Sequence, residues 1–379
     1  MRATVVGGGV IGLACAWELL RRGAQVTVHD PDPGRSAGLV AAGMLAPTAE
    51  ANYGEEALRA LMLESMRRWP AFAAELEAAS GMRVGYRTEG SLLVALTDDD
   101  HAEVLRLVDY YRRAGTPIEP LTGRQLRELE PMLSPRVRGG AFAPGDHQVD
   151  PRLVLRALRS LPIRFESTSI DDLSTVRDDV TIVANGVGAA RLTGLPVRPV
   201  KGQLLRLRGA EPLVRHVIRG VALGRHVYLV PRADGELVVG ATEEERGADT
   251  TVTAGGVLDL LRPAADLLPG VVELTLAETL AGLRPGTPDN APLLGPLPVP
   301  HRVDHAVVVP DKPGHSGSVV APQPHDQRDG GRGRRVLVAT GHYRNGVLLA
   351  PVTARVIADL ATTGATDVDV AAFAATRFT

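Results

Sequence analysis

Gly7-Gly8-Gly9-Val10-Ile11-Gly12 carries glycines in the G-x-G-x-x-G spacing, which lets a main chain turn tightly and come close to a pyrophosphate. Gly7 suits the tight turn, Gly9 the close approach of backbone to anion, and Gly12 the packing of a helix on a strand. Val10 and Ile11 lie within this cofactor-binding turn, and the N-terminus of the helix that follows can face the phosphate charge. Asp30 follows Gly12 by 18 residues, at a strand end, where a carboxylate can accept hydrogen bonds from an adenosine ribose; Asp32 is the neighbouring candidate. With 41 glycines in 379 residues, chance alone gives about half such a triplet per chain. The flanking residues therefore decide.

Those flanks fit. Arg2 to Val6 is a short β-branched run, Leu13 to Arg22 has a helical pattern that stops at Gly23, and Gln25 to His29 reads as a second strand. This is the βαβ context that the fingerprint requires. The loop Ala41-Ala42-Gly43-Met44-Leu45 lacks bulk, which suits backbone running beside a ligand. Asn185-Gly186-Val187-Gly188 is a second glycine turn suited to covering a cofactor.

A second group of residues suits an organic acid. A guanidinium offers a planar pair of donors to a carboxylate, and Arg284, followed by Pro285, reads as leaving the end of a strand. Tyr228 alternates with His226 and Val230, so its hydroxyl can reach a cavity over one face of a sheet.

Further along, Glu55 to Ala79 has an amphipathic helical pattern with Pro70 as a kink, and Leu92 to Leu96 is strand-like. The Asp98 to Asp100 cluster is read as capping a helix to Ala114, Thr122 with Gln125 as a capping box, and Asp150-Pro151 as the start of a helix to Leu161. From Pro199 to Arg284 the period changes to two, with strands at Gln203–Arg208, His226–Val230, Leu237–Ala241 and Glu273–Gly282, interrupted by a helix from Thr253 to Leu268. The chain ends on a strand, Val336 to Ala339, a glycine-rich turn and a helix from about Gly346 to Leu360. Pro300 to Arg335 is rich in Pro, Gly, His, Asp and Arg, and it is read as a mobile surface insert. Its histidines, His305, His315 and His325 beside His301, have no metal-ligand spacing.

Pro199-Val200-Lys201-Gly202-Gln203, Val227-Tyr228-Leu229-Val230-Pro231-Arg232, Gly240-Ala241-Thr242, Gly282-Leu283-Arg284-Pro285 and Gly341-His342-Tyr343-Arg344-Asn345-Gly346 follow one another behind the fingerprint. In this order they resemble the glycine oxidase family of thiamine biosynthesis, within the D-amino-acid oxidase group of FAD-dependent amine oxidases. The resemblance runs from Ala3 to about Leu360, apart from the insert. It implies an α/β fold in which a split FAD-binding dinucleotide (Rossmann-like) domain, 1–80, 137–198 and 336–379, carries an antiparallel-sheet substrate domain, 81–136 and 199–299, with 300–335 as the insert.

The resemblance also implies roles. Tyr228 and Arg284 would hold the substrate carboxylate, with Arg344 beside them. Ala42, Gly43 and Met44 match the loop beside the flavin ring, and Asn185 and Gly186 match a turn that covers the dinucleotide. Gly341, His342, Tyr343, Arg344, Asn345, Gly346 and Val347 match the flavin turn, where a helix N-terminus would stabilise negative charge on reduced flavin. The reaction implied is hydride transfer from the α-carbon of glycine or a small amino acid to flavin, then hydrolysis to a 2-oxo acid and ammonia. Dioxygen would be the electron acceptor, giving hydrogen peroxide. No side-chain base is required. Lys201, the only Lys besides Lys312, is read either as an ammonium near flavin or oxygen or as a structural contact. Glu243 stands where an apolar residue can line the family's pocket.

Composition limits the alternatives. The chain has 42 basic and 44 acidic residues, which removes the electrostatic footprint of a nucleic-acid or membrane binder. The lone Cys15 leaves no intramolecular disulfide or Cys-rich metal site, which suits a cytoplasmic protein. It also lies far in sequence from the flavin turn, so the FAD is expected to be non-covalent. The resemblance adds a homo-oligomer, a tetramer. A quinone-linked amino-acid dehydrogenase, a sarcosine or D-amino-acid oxidase, an NAD(P) dehydrogenase and a flavin scaffold without turnover are the alternatives.

Overall fold

The structure, a computed structural model, describes residues 1–50, 52–297 and 334–378. Two large sheets organise it. The first has six strands in the order Leu293–Pro296, Arg335–Thr340, Val180–Val183, Arg2–Val6, Gln25–His29 and Arg164–Glu166. All neighbours are parallel except the first pair. Its inner strands are buried apolar runs (Val5, Val28, Ile182 and Val338 are fully covered), as a parallel sheet covered by helices on both faces requires.

Three helices bring this sheet to the site. Val10–Arg21 starts at the glycine turn and ends before Gly23, which takes the left-handed conformation of a helix stop. Glu56–Ser80 continues through Pro70. Its Ser65 hydroxyl and Trp69 indole N–H donate to the Leu348 carbonyl at 2.6 and 2.9 Å. These bonds fix the first turn of the last helix, Gly346–Thr362.

The second sheet has eight strands in the order Thr275–Gly286, Arg198–Arg208, Glu236–Gly240, Arg225–Pro231, Val217–Ala222, Ser91–Ala95, Gly139–Ala143 and Glu119–Thr122. It is antiparallel except where Val217–Ala222 runs beside Ser91–Ala95. Helix Ala254–Leu267, capped by Thr253, covers one face with Leu260, Ala264 and Leu267, packing with Leu205, Leu229 and Val239. The other face carries Leu204, Val230, Val238 and Tyr228 and meets Val40, Ala42 and Met44 of the small-residue loop.

Several expectations change. Gly139–Ala143, expected with the dinucleotide part, belongs to the eight-stranded sheet, and Leu293–Pro296 joins the six-stranded one. Gly139-Gly140-Ala-Phe-Ala hides as a strand because a Cβ at Gly140 would lie 1.8 Å from the Leu93 carbonyl oxygen; close approach of the two chains demands glycine there. The cap of helix Asp98–Arg113 is Thr97, which forms a capping box with Asp100, rather than the acidic cluster itself. Of the expected insert, residues 300–333 with their histidines lie outside the described residues. Arg334 donates to main-chain carbonyls around Leu173, and Arg335 opens the strand Arg335–Thr340. No helix among the described residues is long and apolar enough to cross a membrane.

Candidate active site

The glycine turn has the shape its spacing predicts. Gly7 has φ +107°, and its N–H donates to the His29 carbonyl at 2.9 Å. A Cβ on Gly7 would lie 2.6 Å from the Ala184 carbonyl oxygen, and one on Gly12 would lie 2.0 Å from the Gly7 oxygen. Gly9 is the N-cap of the helix that begins Val10-Ile11 and has no side chain to obstruct its open end. The first N–H groups of that helix therefore face outward, as an anion requires.

Asp30 stands beside this turn, paired with a residue the sequence did not single out. One Arg159 nitrogen donates both to Asp30 Oδ2 at 2.8 Å and to the Gly8 carbonyl at 2.7 Å. The guanidinium thus ties the candidate ribose carboxylate to the phosphate turn. Arg159→Met should weaken dinucleotide binding about threefold to tenfold, the worth of a part-buried charged contact. Titration of the apoprotein followed by flavin fluorescence checks this; an unchanged dissociation constant would mean that Asp30 holds its place alone. Nothing in the sequence near Asp30 marks Arg159, which is 129 residues away.

The second glycine turn closes the same end. Asn185 packs against Gly7, Gly186 takes φ +58°, and the Gly186 carbonyl accepts from the Thr340 hydroxyl at 3.0 Å. Among the described residues, Asn185 Oδ1 is buried without a partner, as is Asn345 Oδ1 in the C-terminal turn. Buried amide oxygens left unpaired are suited to a ligand that supplies donors.

The small-residue loop is fixed from below. Gly43 has φ +81°, and a Cβ there would lie 2.0 Å from the Val149 carbonyl oxygen, so Met44–Leu45 can pair with His147–Gln148. The carbonyl of Ala42 accepts from Arg232, whose other arm reaches Gln148 Oε1 at 3.1 Å. Burial lowers the Arg232 guanidinium to about 10, so it stays charged at neutral pH. Arg232 lies in the Tyr-Leu-Val-Pro-Arg segment, where nothing in the sequence marks it; its role follows from its burial.

Tyr228 and Arg284 converge on the sheet face that meets this loop. Arg284 lies inside the strand Thr275–Gly286 rather than beyond its end, because this is an edge strand and tolerates Pro285. Its guanidinium lies over Gly202, where a Cβ would come within 2.3 to 2.6 Å of three guanidinium atoms. One arm donates to the Thr242 carbonyl at 3.1 Å. The Thr242 hydroxyl is fixed in turn, accepting from the Gln203 N–H at 2.9 Å and donating to Glu244 at 2.7 Å. The Tyr228 ring covers Gly240 on the adjacent strand, again where a Cβ would clash. Burial raises the Tyr228 phenol above its usual range while the positive charge of the nearby Arg284 pulls it back. Two glycines quoted only as motif therefore make level floors for the two side chains that converge.

The C-terminal turn borders this pair. Gly341 has φ +72° and Tyr343 φ +48°, and the Tyr343 N–H donates to the Pro285 carbonyl at 3.0 Å. His342 is buried with Nε2 at 3.0 Å from the Thr353 hydroxyl, and burial lowers it to about 3; it is neutral. Asn345 caps the helix Gly346–Thr362, whose first residues include Val347. Arg344 is exposed, its guanidinium 5.2 Å from the Tyr343 ring centroid. The structure brings Tyr228 and Arg284 together and leaves Arg344 at the rim. Lys201 resolves to a structural contact: it is fully buried on the opposite face from Arg284, 2.7 Å from Asp249. Cys15 is buried in the first helix, where burial pushes its thiol up and out of reactive range.

The fold and sequence have counterparts among known proteins. The family model described as FAD dependent oxidoreductase (DAO) matches residues 2–360. The chain is 31% identical to the glycine oxidase of Geobacillus kaustophilus over 98% of its own length and 96% of that protein. It is 32% identical to the glycine oxidase of Pseudomonas putida, with 98% of each chain covered. A bifunctional protein ThiO/ThiG of Trichormus variabilis is 32% identical over 94% of this chain, which spans 52% of that longer protein. The crystal structure of the Geobacillus kaustophilus glycine oxidase superposes with a TM-score of 0.83 at 30% identity, covering 99% of each chain.

Proposed function

The chain belongs to the FAD dependent oxidoreductase family, and from that premise we propose that it oxidatively deaminates glycine, or a similarly small amino acid or amine, with Arg284 and Tyr228 as the carboxylate clamp. The observation that carries this reading is the convergence of the two side chains over Gly202 and Gly240, facing the loop Val40 to Met44. An arginine held at one arm by the Thr242 carbonyl leaves donors for an incoming carboxylate. The phenol adds a single hydroxyl donor. The apolar loop excludes water around the pair, which strengthens charged contacts.

The glycine turns, Asp30, Ala42 to Met44, Asn185, Gly186 and the turn from Gly341 to Val347 are the residues that would hold FAD. When bound, FAD supplies the two-electron acceptor, which dioxygen reoxidises with release of hydrogen peroxide. The side chains would orient the substrate with its α-carbon toward the bound cofactor, and the N-terminus of Gly346–Thr362 would offer positive potential beside it. The amine leaves as an imine that hydrolyses to the 2-oxo acid and ammonia. Similarity to the ThiO/ThiG proteins supports a place in thiamine thiazole synthesis. Family likeness and the single buried Cys15 support a cytoplasmic enzyme, and family likeness alone supports a homotetramer, which sedimentation would check.

The test is an absorbance spectrum of the purified protein before and after anaerobic glycine. A yellow protein that bleaches, and recovers with peroxide on readmitting air, is the expected result. Acid precipitation should release all the yellow colour, because Cys15, the single cysteine, is fully buried within the helix Val10–Arg21. Failure of glycine, sarcosine and small D-amino acids to bleach the flavin would remove the oxidase reading.

A further inference from the structure

Asp30 and the loop Ala42 to Met44 would meet the ribose and flavin ends of the cofactor, and the stretch 31–40 joins them. Residues 31–35 and 37 of it are exposed. It folds into two short turns, Pro33–Arg35 and Ala37–Leu39, each capped from within: Asp32 accepts from the Gly34 N–H at 3.2 Å and Ser36 from the Gly38 N–H at 3.3 Å. Its outward contacts are at defined points. The Ser36 hydroxyl lies beside Gly9 of the phosphate turn, where a Cβ would come within 3.4 Å of it, and Val40 lies on Gly282, where a Cβ would be 3.1 Å from two Val40 carbons. Gly282 is two residues before Arg284. The stretch is thus a strap from the nucleotide turn to the strand that carries the clamp.

One side chain ties it down. Arg152 donates through Nε to the Leu39 carbonyl at 3.0 Å, and through Nη1 and Nη2 to the two carboxylate oxygens of Glu278 at 3.0 and 2.7 Å. Among the described residues, the Leu39 bond is the one hydrogen bond that leaves 31–40. A planar guanidinium can serve a carbonyl on one edge and a carboxylate on another, so Glu278 fixes the orientation that reaches Leu39. Arg152 stands in the first turn of the helix Pro151–Arg159, where the helix dipole disfavours a cation. Its partners offset that. Its bonds hold Glu278 below the usual carboxylate range, with Arg206 and Arg208 acting in the same sense, and Glu236 and Asp150 favour the charged guanidinium.

We propose that Arg152 is a positioning residue for the cofactor, the latch of a strap, residues 31–40, that would lie across the bound dinucleotide and set how fast FAD leaves. The proposal rests on the reading that Asp30 and Ala42 to Met44 hold FAD. With both ends of the strap on the cofactor, release requires the strap to lift, and lifting it breaks the Leu39 bond. A stretch with few outward contacts opens before the core does.

The experiment follows FAD fluorescence as holoenzyme is diluted, which gives the release rate, and as FAD is added to apoprotein, which gives the association rate. Arg152→Met should speed release about tenfold and Glu278→Gln about threefold, the range of part-buried charged contacts. Neither should slow association, because a loosened strap does not obstruct entry. The double variant should release FAD no faster than Arg152→Met alone, since both changes act through one guanidinium. Arg152→Lys should also release FAD faster than the native protein, because one ammonium cannot hold Leu39 and both Glu278 oxygens. Glu278 has a side chain 40% exposed, so Glu278→Gln tests the latch without disturbing the helix. A merely structural role would lower the melting temperature of the apoprotein and slow association as release rises. That pattern, or an unchanged release rate in Arg152→Met, overturns the proposal. Asp30→Ala separates the two readings. If it leaves FAD affinity unchanged, the cofactor reading falls and the strap with it; if it weakens affinity while Arg152→Met releases FAD at the native rate, the latch alone fails.

Discussion

Arg284→Ala should lower kcat/KM for glycine at least tenfold and by as much as about a hundredfold. A charged hydrogen bond contributes about 1.5 to 3 kcal/mol, and each 1.4 kcal/mol is a factor of ten. The upper part of that range applies because the guanidinium lies over Gly202 under an apolar loop, so a carboxylate bound there without it has no comparable donor. Tyr228→Phe should lose less, since a neutral hydroxyl contributes about 0.5 to 1.5 kcal/mol. Arg284→Lys should recover little. A single ammonium cannot keep the Thr242 carbonyl and present a planar fork to the substrate at once. Gly202→Ala tests the floor under the clamp: the new methyl displaces the guanidinium while leaving its charge in the protein, so part of the Arg284→Ala loss should reappear with FAD content unchanged. Near-normal kcat/KM for Arg284→Ala would move the carboxylate site elsewhere, with Arg344 the next candidate.

How much of this site was legible depends on the range of each interaction. The glycine turn could be read directly, because strand, turn, helix and stop lie within 23 residues and each is locally encoded. Tyr228 could be placed on a strand face from its alternation with Val230. Arg284 was placed less well, since Pro285 reads as a strand end unless the edge position is known. Arg159 and Arg232 were not marked. Their partners, Gly8 and Asp30 for one and Ala42 and Gln148 for the other, are distant in sequence, and a lone arginine carries no periodicity. Val217–Ala222 was missed for a related reason: Arg219 and Gly220 interrupt its apolar pattern, yet Arg219 meets Glu50 at 2.8 Å and a Cβ on Gly220 would strike Leu267. The sequence shows which residues are unusual; only the fold shows which of them are forced by a neighbour.

The forced position with the largest expected effect is Gly12. In Gly12→Ala the new Cβ would lie 2.0 Å from the Gly7 carbonyl oxygen, 3.1 Å from the Gly7 carbonyl carbon and 3.2 Å from Val5 Cγ1. Gly7 has little room to yield, because its N–H is bonded to the His29 carbonyl and the main chain of Ala184 and Asn185 packs closely enough beside it to leave no space even for a Cβ. The helix must therefore lift from the strand. Its Leu13, Ala14, Cys15 and Ala16 are fully buried, so that movement costs about 1 to 3 kcal/mol of packing. The same movement takes the helix N-terminus away from the pyrophosphate, which removes charge-assisted bonds as well. Gly12→Ala should bind FAD at least a hundredfold more weakly, purify largely colourless and melt on the order of 5 °C lower. Gly23→Ala supplies the contrast. Gly23 has φ +79° with no atom of the described residues within 4 Å of its would-be Cβ, so the change strains one residue by about 1 kcal/mol and should leave the protein yellow. If Gly12→Ala retains FAD as well as Gly23→Ala does, the helix is not held against the turn by that contact, and the anion site must be built from other N–H groups.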